Sequence, residues 1–273
     1  MKEKISITIN DKILRDVDSI VDNIVIRNRS QAIESLIEKA LKENRIAVIL
    51  AGEGRPEKGK NEHRYAFKIN GMTIIEKIIR RLNDSGFKTI YIVADHEALT
   101  NIFKIVGDGS DYGVKIEFIN EEFLQGSAAA LKLLKKQVKT TFLVVFHDIV
   151  LDDIDLLELW KLHLNEKAIA TMLIHSDIIL TKYKERYGHV TMQGNKILNY
   201  VEKPKPSKLK SSLFFGAVFV AEPELLSYKG DSLEYEVFPE LARRGFLGGL
   251  ITNAEHLTIH SKEDLEYLKK KLR

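Results

Sequence analysis

From Arg45 onward, short runs of continuous apolar residues alternate with segments in which apolar residues recur at helical spacing. The apolar runs include "RIAVILAGEG", "KTIYIVA" and "TTFLVVFHDIV", and an amphipathic segment, "MTIIEKIIRRLNDSG", separates the first two. Strands that are apolar throughout are buried on both faces, which is typical of a mainly parallel sheet covered by helices. The sequence therefore predicts an α/β, Rossmann-like domain over residues 46–273, with ligands bound beyond the carboxyl ends of the strands.

The first ten residues, "MKEKISITIN", follow a different pattern, because isoleucine occupies every second position of "ISITI". This alternation predicts a strand with the isoleucines on one face and a polar triplet, Lys4, Ser6 and Thr8, on the other. Two segments with helical periodicity follow. The first is predicted to begin after an N-cap at Asn10 and the second after an N-cap at Ser30.

This strand–helix–helix segment, residues 1–45, is shorter than most domains that fold alone. A two-fold homodimer would complete it, because two copies of the strand can pair antiparallel and cover four helices with their isoleucine faces. The polar faces of the two strands then point outward. A two-stranded ribbon of this kind fits the major groove of double-stranded DNA.

Residues 2–44 resemble the ribbon-helix-helix family of DNA-binding proteins, both in the polar triplet and in the "RS" that precedes the second helix. The resemblance implies that the polar triplet contacts base edges. It also implies that Arg29 and the backbone N–H groups after Ser30 hold a DNA phosphate at a helix N-terminus. A simpler interpretation is that the segment only dimerises the chain and that water solvates the polar face of its strand.

A second resemblance covers residue 46 to about residue 270. The motifs that carry it are, in chain order, "LAGEG", "INGMTIIEKII", "QGSAAALKLL", "FHD", "YGHV" and "VEKP". In this order they resemble the sugar-phosphate nucleotidyltransferases, which make nucleotide sugars from a nucleoside triphosphate and a sugar phosphate. The resemblance implies the nucleotidyltransferase form of the α/β fold for residues 46–273.

The second resemblance also implies which residues bind the ligand. These are Gly52 and Gly54 in a triphosphate loop, Gly126 and Ser127 in a turn that contacts the nucleobase, and Gly188, Glu202 and Lys203 in a sugar pocket. In such a pocket a carboxylate accepts hydrogen bonds from sugar hydroxyls, and an ammonium group contacts a phosphate. Asp148 corresponds to a carboxylate that binds Mg²⁺, the cofactor implied if nucleoside triphosphate binding or catalysis is retained.

The catalytic residues implied by the resemblance are Arg55, Arg64 and Asp148, but the sequence departs from the family pattern around them. Glu53 replaces a loop glycine, and a carboxylate beside a triphosphate is repulsive unless a cation lies between them. Arg64 stands where the family has a lysine, and Thr258 stands where it has a second metal-binding carboxylate. These substitutions predict a degenerate reaction centre beside a retained sugar pocket.

Three functional hypotheses follow. The first is a DNA-binding transcriptional regulator whose nucleotidyltransferase-like domain binds a nucleotide, sugar phosphate or nucleotide sugar as effector. The alternative is an active Mg²⁺-dependent sugar-phosphate nucleotidyltransferase that carries a DNA-binding or dimerisation module. The third is a dimeric scaffold with neither activity. Turnover of a nucleoside triphosphate and a sugar phosphate would distinguish the second hypothesis from the others.

Composition limits the remaining classes of function. The 273 residues include no cysteine, which excludes disulfides and thiolate metal sites and fits a cytoplasmic location. The 42 basic and 39 acidic residues give a formal net charge of +3, so the chain is not a polycation, although a local basic face is compatible with this balance. No apolar run is long enough to span a bilayer and the start is too polar for a signal peptide, so we expect no membrane partner.

Overall fold

The computed structural model of the protein describes residues 4–43, 45–52, 63–123, 125–176, 186–209, 211–259 and 262–271. The chain divides into two compact units, Met1–Asn44 and Arg45–Arg273, called here the N-terminal unit and the large unit. None of the described helices is both long enough and apolar enough to cross a membrane.

The N-terminal unit contains two helices, α1 (Asp11–Asp18) and α2 (Arg29–Glu43). Asn10 caps α1 as the sequence predicts, because its side chain accepts a hydrogen bond of 2.9 Å from the backbone N–H of Lys12. Residues 4–10 belong to no strand, so the predicted N-terminal strand is not confirmed. A strand needs a hydrogen-bonded neighbour, and in the predicted ribbon that neighbour comes from a second copy of the chain.

The start of α2 differs from the prediction. Ser30 was expected to be the N-cap, but the helix already begins at Arg29. The side chain of Asn28 accepts a hydrogen bond of 3.0 Å from the N–H of Gln31, and its carbonyl accepts one of 3.0 Å from the N–H of Ala32. Asparagine caps a helix at least as well as serine, so the helix starts after the first suitable residue of the two.

The large unit is built on one nine-stranded sheet and a separate two-stranded hairpin. The strands of the sheet are β1 (Arg45–Leu50), β4 (Phe87–Ala94), β5 (Lys115–Asn120), β6 (Phe142–Phe146), β7 (Ala170–His175), β8 (Gly188–Gln193), β9 (Lys196–Glu202), β10 (Phe214–Ala221) and β11 (Leu247–Thr252). The hairpin consists of β2 (Lys68–Ile69) and β3 (Met72–Thr73).

Helices cover both faces of this sheet. They are α3 (Ile74–Asp84), α4 (His96–Val106), α5 (Ser127–Lys132), α6 (Leu156–Asn165), α7 (Phe238–Arg244) and α8 (Lys262–Lys271). Apolar residues of α3, α4, α6 and α8 form one core with one face of the sheet, and those of α5 and α7 form a second core with the other face. In β1, Ile49 belongs to the first core and Val48 to the second, which explains why this strand is apolar throughout.

The strand order of the sheet is β5-β4-β1-β6-β10-β7-β11-β9-β8. Strands β5, β4, β1 and β6 are mutually parallel, whereas β10 runs antiparallel to both β6 and β7. The predicted α/β class is therefore confirmed, but the sheet is mixed rather than mainly parallel. From β1 the chain builds outward through β4 to β5 and then returns to place β6 on the other side of β1. Such a switch point leaves a crevice beyond the carboxyl ends of the two central strands.

Candidate active site

A cavity of about 220 Å³ lies at this switch point, beyond the carboxyl ends of β1, β4, β5 and β6. The residues that line this switch-point pocket are Leu50, Gly52, Val93, Glu121, Gly126, Ser127, Ala130 and Phe146. Most of the wall is apolar, which suits a flat ring, and the polar groups are few, as is usual for small-molecule sites. Three of the residues predicted to bind ligand, Gly52, Gly126 and Ser127, meet here.

The turn before α5 can be made only with glycine at position 126. Gly126 has φ = 133°, and a Cβ atom added to it would lie 2.5 Å from the carbonyl oxygen of Asp231. The next residue fixes the turn: the hydroxyl of Ser127 donates to the carboxylate of Glu234 at 2.6 Å and accepts from the N–H of Leu233 at 2.9 Å. The backbone of the turn thus has a defined position in the pocket wall.

Glu121 is the acidic member of the pocket wall, and sequence analysis did not single it out. It follows β5, its N–H donates to the carbonyl of Ala94 at 2.8 Å, and the residue is only 7% exposed. A Cβ atom on Gly52 would lie 3.4 Å from its Oε2 atom, so the carboxylate lies close to the backbone after β1. Burial raises the pKa of the Glu121 carboxyl, and the charge of Asp95 adds to the increase, while the N–H of Gln125 opposes it.

Two predicted catalytic residues are in direct contact. Nη1 of Arg64 lies 3.0 Å from Oδ2 of Asp148, which follows β6. Thr258 lies beside this pair, because it forms a β-bridge with Ile149 and the N–H of Ile259 donates to the carbonyl of Asp148 at 2.9 Å. The threonine thus occupies the neighbourhood in which the sequence resemblance implies a second metal-binding carboxylate.

The described residues around Asp148 do not fit a bound Mg²⁺ ion as they stand. Mg²⁺ requires oxygen ligands in near-octahedral geometry, and the guanidinium of Arg64 already contacts the Asp148 carboxylate. In the described part of the chain, no three histidine, aspartate or glutamate side chains come together as a metal site. A divalent ion would have to displace Arg64 and take its other ligands from bound phosphates and water.

The predicted sugar pocket is built around Glu202, at the end of β9. The hydroxyl of Tyr200 donates to Oε2 of Glu202 at 2.7 Å, and both side chains are largely buried. A Cβ atom on Gly188 would overlap the Tyr200 hydroxyl and lie 2.6 Å from Oε2 of Glu202, so only glycine fits beside the pair. Burial raises the pKa of the Glu202 carboxyl, and the nearby charge of Glu234 adds to the increase.

Lys203 completes the predicted sugar pocket, and Glu202 and Lys203 are called here the sugar-side group. Lys203 is about half exposed, and its ammonium group lies 3.8 Å from Oε1 of Glu202, where it can meet a phosphate arriving from solvent. Glu234 lies near both sites, because its charge raises the pKa of Glu202 and its carboxylate accepts a hydrogen bond from the hydroxyl of Ser127. The sugar-side group therefore adjoins the switch-point pocket. Gly54 and Arg55 lie outside the described residues.

The residues predicted to bind DNA are on the surface of the N-terminal unit. Lys4, Ser6, Thr8 and Ser30 are exposed. The guanidinium of Arg29 forms a bidentate ion pair with Asp18, at 2.5 and 2.8 Å, which joins the two helices. This pair lowers the pKa of Asp18, and Arg29 would have to leave it in order to hold a phosphate.

Comparison with known proteins decides the family of the large unit. The model of the nucleotidyl transferase family matches residues 60–242, which is more than half of the chain. The chain belongs to the nucleotidyl transferase family. This nucleotidyl transferase domain begins after the N-terminal unit, whose resemblance to ribbon-helix-helix proteins stays a prediction.

Relatives of this chain are named for different sugars and nucleotides. It is 28% identical over 191 residues to a UTP–glucose-1-phosphate uridylyltransferase from Synechocystis sp., which covers 63% of the chain and 48% of the relative. It is 26% identical over 175 residues to a mannose-1-phosphate guanyltransferase from Pichia angusta, which covers 61% of the chain and 46% of the relative. The chain thus spans about half the length of these relatives.

Solved structures show the same fold. A Bacillus anthracis protein assigned as a glucose-1-phosphate thymidylyltransferase, crystallised with a sucrose, has a TM-score of 0.72 at 21% identity, covering 84% of this chain and 95% of that one. HddC from Yersinia pseudotuberculosis, crystallised with GMP-PN, has a TM-score of 0.66 at 20% identity, covering 84% of this chain and 100% of that one. At these identities the likeness concerns the fold of the nucleotidyl transferase alone.

Proposed function

We propose that the large unit transfers a nucleotidyl group to a sugar phosphate, so that a nucleoside triphosphate and a sugar 1-phosphate give a nucleotide sugar and diphosphate. The observation that carries this proposal is the crevice at the switch point of the sheet. The pocket there has a mostly apolar wall, the Arg64–Asp148 pair lies at the end of β6, and Glu202 and Lys203 lie at the end of β9. Membership of the nucleotidyl transferase family supports the same reaction class.

In this proposal the nucleobase enters the switch-point pocket and its phosphates extend towards Arg64. An oxygen of the sugar phosphate attacks the α-phosphorus, the bond between the α-phosphorus and the bridging oxygen breaks, and diphosphate leaves. The reaction brings two anions together, so catalysis depends on positioning and on neutralising charge. Arg64 supplies a permanent positive charge with several donors, and Asp148 holds its guanidinium in place before the substrate arrives.

The sugar-side group recognises the acceptor. The Tyr200 hydroxyl fixes one oxygen of Glu202, so the carboxylate has a set orientation in which it can accept hydrogen bonds from sugar hydroxyls. Lys203 contributes a cation for the phosphate of the sugar. The absence of a side chain at Gly188 lets Tyr200 and Glu202 pack directly against its backbone, which holds the pair in place.

The experiment is a diphosphate-release assay on the full chain, with each of the four nucleoside triphosphates and a panel of sugar 1-phosphates. We expect release with at least one combination and loss of release in Arg64→Ala. If no combination turns over while a nucleotide sugar still raises the melting temperature, the crevice binds an effector and the enzyme proposal is wrong. If neither turnover nor a thermal shift occurs, ligand binding in the crevice is wrong as well.

We also propose that the N-terminal unit is a DNA-binding dimer, because half of its described large apolar side chains are exposed to solvent. Among the described residues, only Val17 and Ala32 are buried apolar residues in this unit. Seven large apolar side chains are 40–78% exposed: Ile5, Ile7, Ile13, Ile24, Val25, Leu36 and Ile37. Burying one such side chain contributes about 1.5–3 kcal/mol, so covering the set contributes on the order of 10 kcal/mol.

A second copy of the chain is the occupant that suits this surface. Antiparallel pairing of two "KISITI" segments would give each the hydrogen-bonded neighbour that a strand needs and would cover the isoleucines. The polar triplet would then face outward, towards DNA. In a binding assay against a pool of random duplexes, the double variant Lys4→Ala/Thr8→Ala should lose sequence preference while remaining dimeric. Unchanged preference would show that the polar triplet does not read DNA.

A further inference from the structure

We propose that Glu121 makes the switch-point pocket selective for guanine nucleotides. The inference rests on the proposed function and names the nucleobase that the site accepts. It arises from the position of this carboxylate, which is buried in the pocket wall at the end of β5.

Glu121 differs chemically from its neighbours in the pocket. Among the described residues that line the cavity, Glu121 is the one with an ionisable side chain, and its neighbours in the wall include Leu50, Val93 and Phe146. A carboxylate that is taken out of water must be compensated by hydrogen-bond donors. A ligand that fills this pocket displaces the water that reaches the carboxylate, so the ligand itself has to bring donors.

The negative charge of Asp95, close to the Glu121 carboxylate, strengthens the need for hydrogen-bond donors on the ligand. The backbone N–H of Gln125 is a donor to Glu121, whereas Asp95 brings a second negative charge near it. The local field therefore favours a ligand edge with positive hydrogen atoms and disfavours one with carbonyl oxygens. A carboxylate has two oxygens and accepts two parallel hydrogen bonds from adjacent donors.

The four nucleobases differ in what they can offer such a group. Guanine has two adjacent donors, the N1–H and the N2 amino group, on one edge of its ring. In uracil the N3–H lies between two carbonyl oxygens, which a carboxylate repels. In adenine and cytosine the amino group is next to a ring nitrogen that only accepts. Guanine is thus the base that pairs with Glu121 through two hydrogen bonds.

The test is calorimetric titration of the full chain with GDP, UDP, ADP and CDP. We expect GDP to bind roughly tenfold or more tightly than the others, because a bidentate contact to a base contributes about 1–3 kcal/mol of discrimination. Glu121→Gln keeps the size of the side chain and replaces one acceptor with a donor. This variant should lose most of the preference for GDP and gain relative affinity for UDP.

Glu117→Gln is the matched control, because Glu117 lies on the same strand, pairs with Lys115 and does not line the pocket. It should retain the GDP preference, and thermal unfolding should show that both variants are folded. A wild-type preference for another base, or an unchanged GDP to UDP ratio in Glu121→Gln, overturns the inference alone. Failure of all four nucleotides to bind overturns the proposed function together with the inference.

Discussion

The contact between Arg64 and Asp148 joins two residues that are 84 positions apart in the sequence. The side chain of Asp148 is 12% exposed and that of Arg64 is 35% exposed, so solvent screens the pair only in part. An arginine in this position holds a permanent positive charge at the place where phosphates are proposed to bind. In the proposed function, Arg64 has the role that a divalent cation has in many phosphate sites.

The first prediction concerns this arginine. Arg64→Gln should weaken nucleoside triphosphate binding by roughly tenfold or more, because a hydrogen bond to a charged group contributes about 1.5–3 kcal/mol. Binding to the variant should also depend more strongly on Mg²⁺ than binding to the wild type, since Asp148 no longer faces a guanidinium. Calorimetric titration with Mg²⁺ and with EDTA measures both effects.

Arg80→Gln is the control for loss of an arginine charge, because Arg80 lies over the ring of Tyr112 and does not line the switch-point pocket. It should bind nucleotide as the wild type does in both solutions. Equal behaviour of the Arg64 and Arg80 variants would show that Arg64 does not contact the phosphates.

The second prediction concerns the glycine turn. Gly126→Ala and Gly71→Ala each place a side chain at positive φ, which adds about 1–3 kcal/mol of strain. Only Gly126→Ala also brings Cβ to 2.5 Å from Asp231, since nothing lies within 4 Å of a Cβ at Gly71. Gly126→Ala should therefore lower the melting temperature more than Gly71→Ala and should alone weaken nucleotide binding. Equal losses in both variants would mean that the contact with Asp231 does not matter.

The third prediction follows from the buried carboxyl of Glu202, whose pKa is raised above its ordinary value. A raised pKa in the folded state means that the contribution of this group to stability is present below pH 4.5 and is lost as pH rises through the folded-state pKa. Glu202→Gln removes this loss of stability, because glutamine does not ionise. Its melting temperature relative to the wild type should thus be higher at pH 7 than at pH 4.

Thermal unfolding of Glu202→Gln across this pH range checks the sign. The exposed residue Glu97 provides the comparison, and Glu97→Gln should shift the melting temperature far less with pH. A melting temperature of Glu202→Gln that falls relative to the wild type as pH rises contradicts the assigned cause, which is burial of the ionised carboxylate.

At the scale of elements, the sequence predicts the start of α1 correctly. Asn10 is the predicted N-cap, and in the structure its side chain accepts a hydrogen bond from the backbone N–H of Lys12. Where two capping residues occur close together, as at Asn28 and Ser30, the pattern alone does not decide between them. The helix uses Asn28.

The direction of a strand is less visible in the sequence. The residues of β10, "FFGAVFVA", are as apolar as those of β6, yet β10 runs antiparallel to its neighbours. An apolar run indicates burial on both faces and contains no information on direction, which depends on the connections around it. Glu121 was missed for a related reason, because a charged residue after a strand is usual in a loop. Only the fold shows that this one is buried in a pocket.

The fourth prediction concerns the segment before α1. Ile7→Asp should convert a dimer into a monomer, since it places a charge on the face that the second copy is proposed to cover. Thr8→Asp is the matched control, because it introduces the same charge on the opposite face and should leave the dimer intact. Light scattering after size-exclusion chromatography gives the mass of each. A monomeric wild type, or a dimeric Ile7→Asp variant, would contradict the proposed ribbon.

At the scale of the whole molecule, two compact units share one chain. The nucleotidyl transferase family model matches most of the large unit, and the exposed apolar side chains of the N-terminal unit support the proposed dimer. If both proposals hold, a nucleotide or nucleotide sugar regulates DNA binding only to the extent that its affinity differs between the free and the DNA-bound protein. The crevice of the large unit is thus central to either hypothesis, enzyme or sensor.

The most direct measurement is a crystal structure of the full chain with a guanosine diphosphate sugar. The account predicts the base in the switch-point pocket against Glu121, the diphosphate beside Arg64, and the sugar within hydrogen-bonding distance of Glu202. A ligand bound at another surface, or a crevice that remains empty at saturating concentrations of the nucleotide sugar, would contradict it.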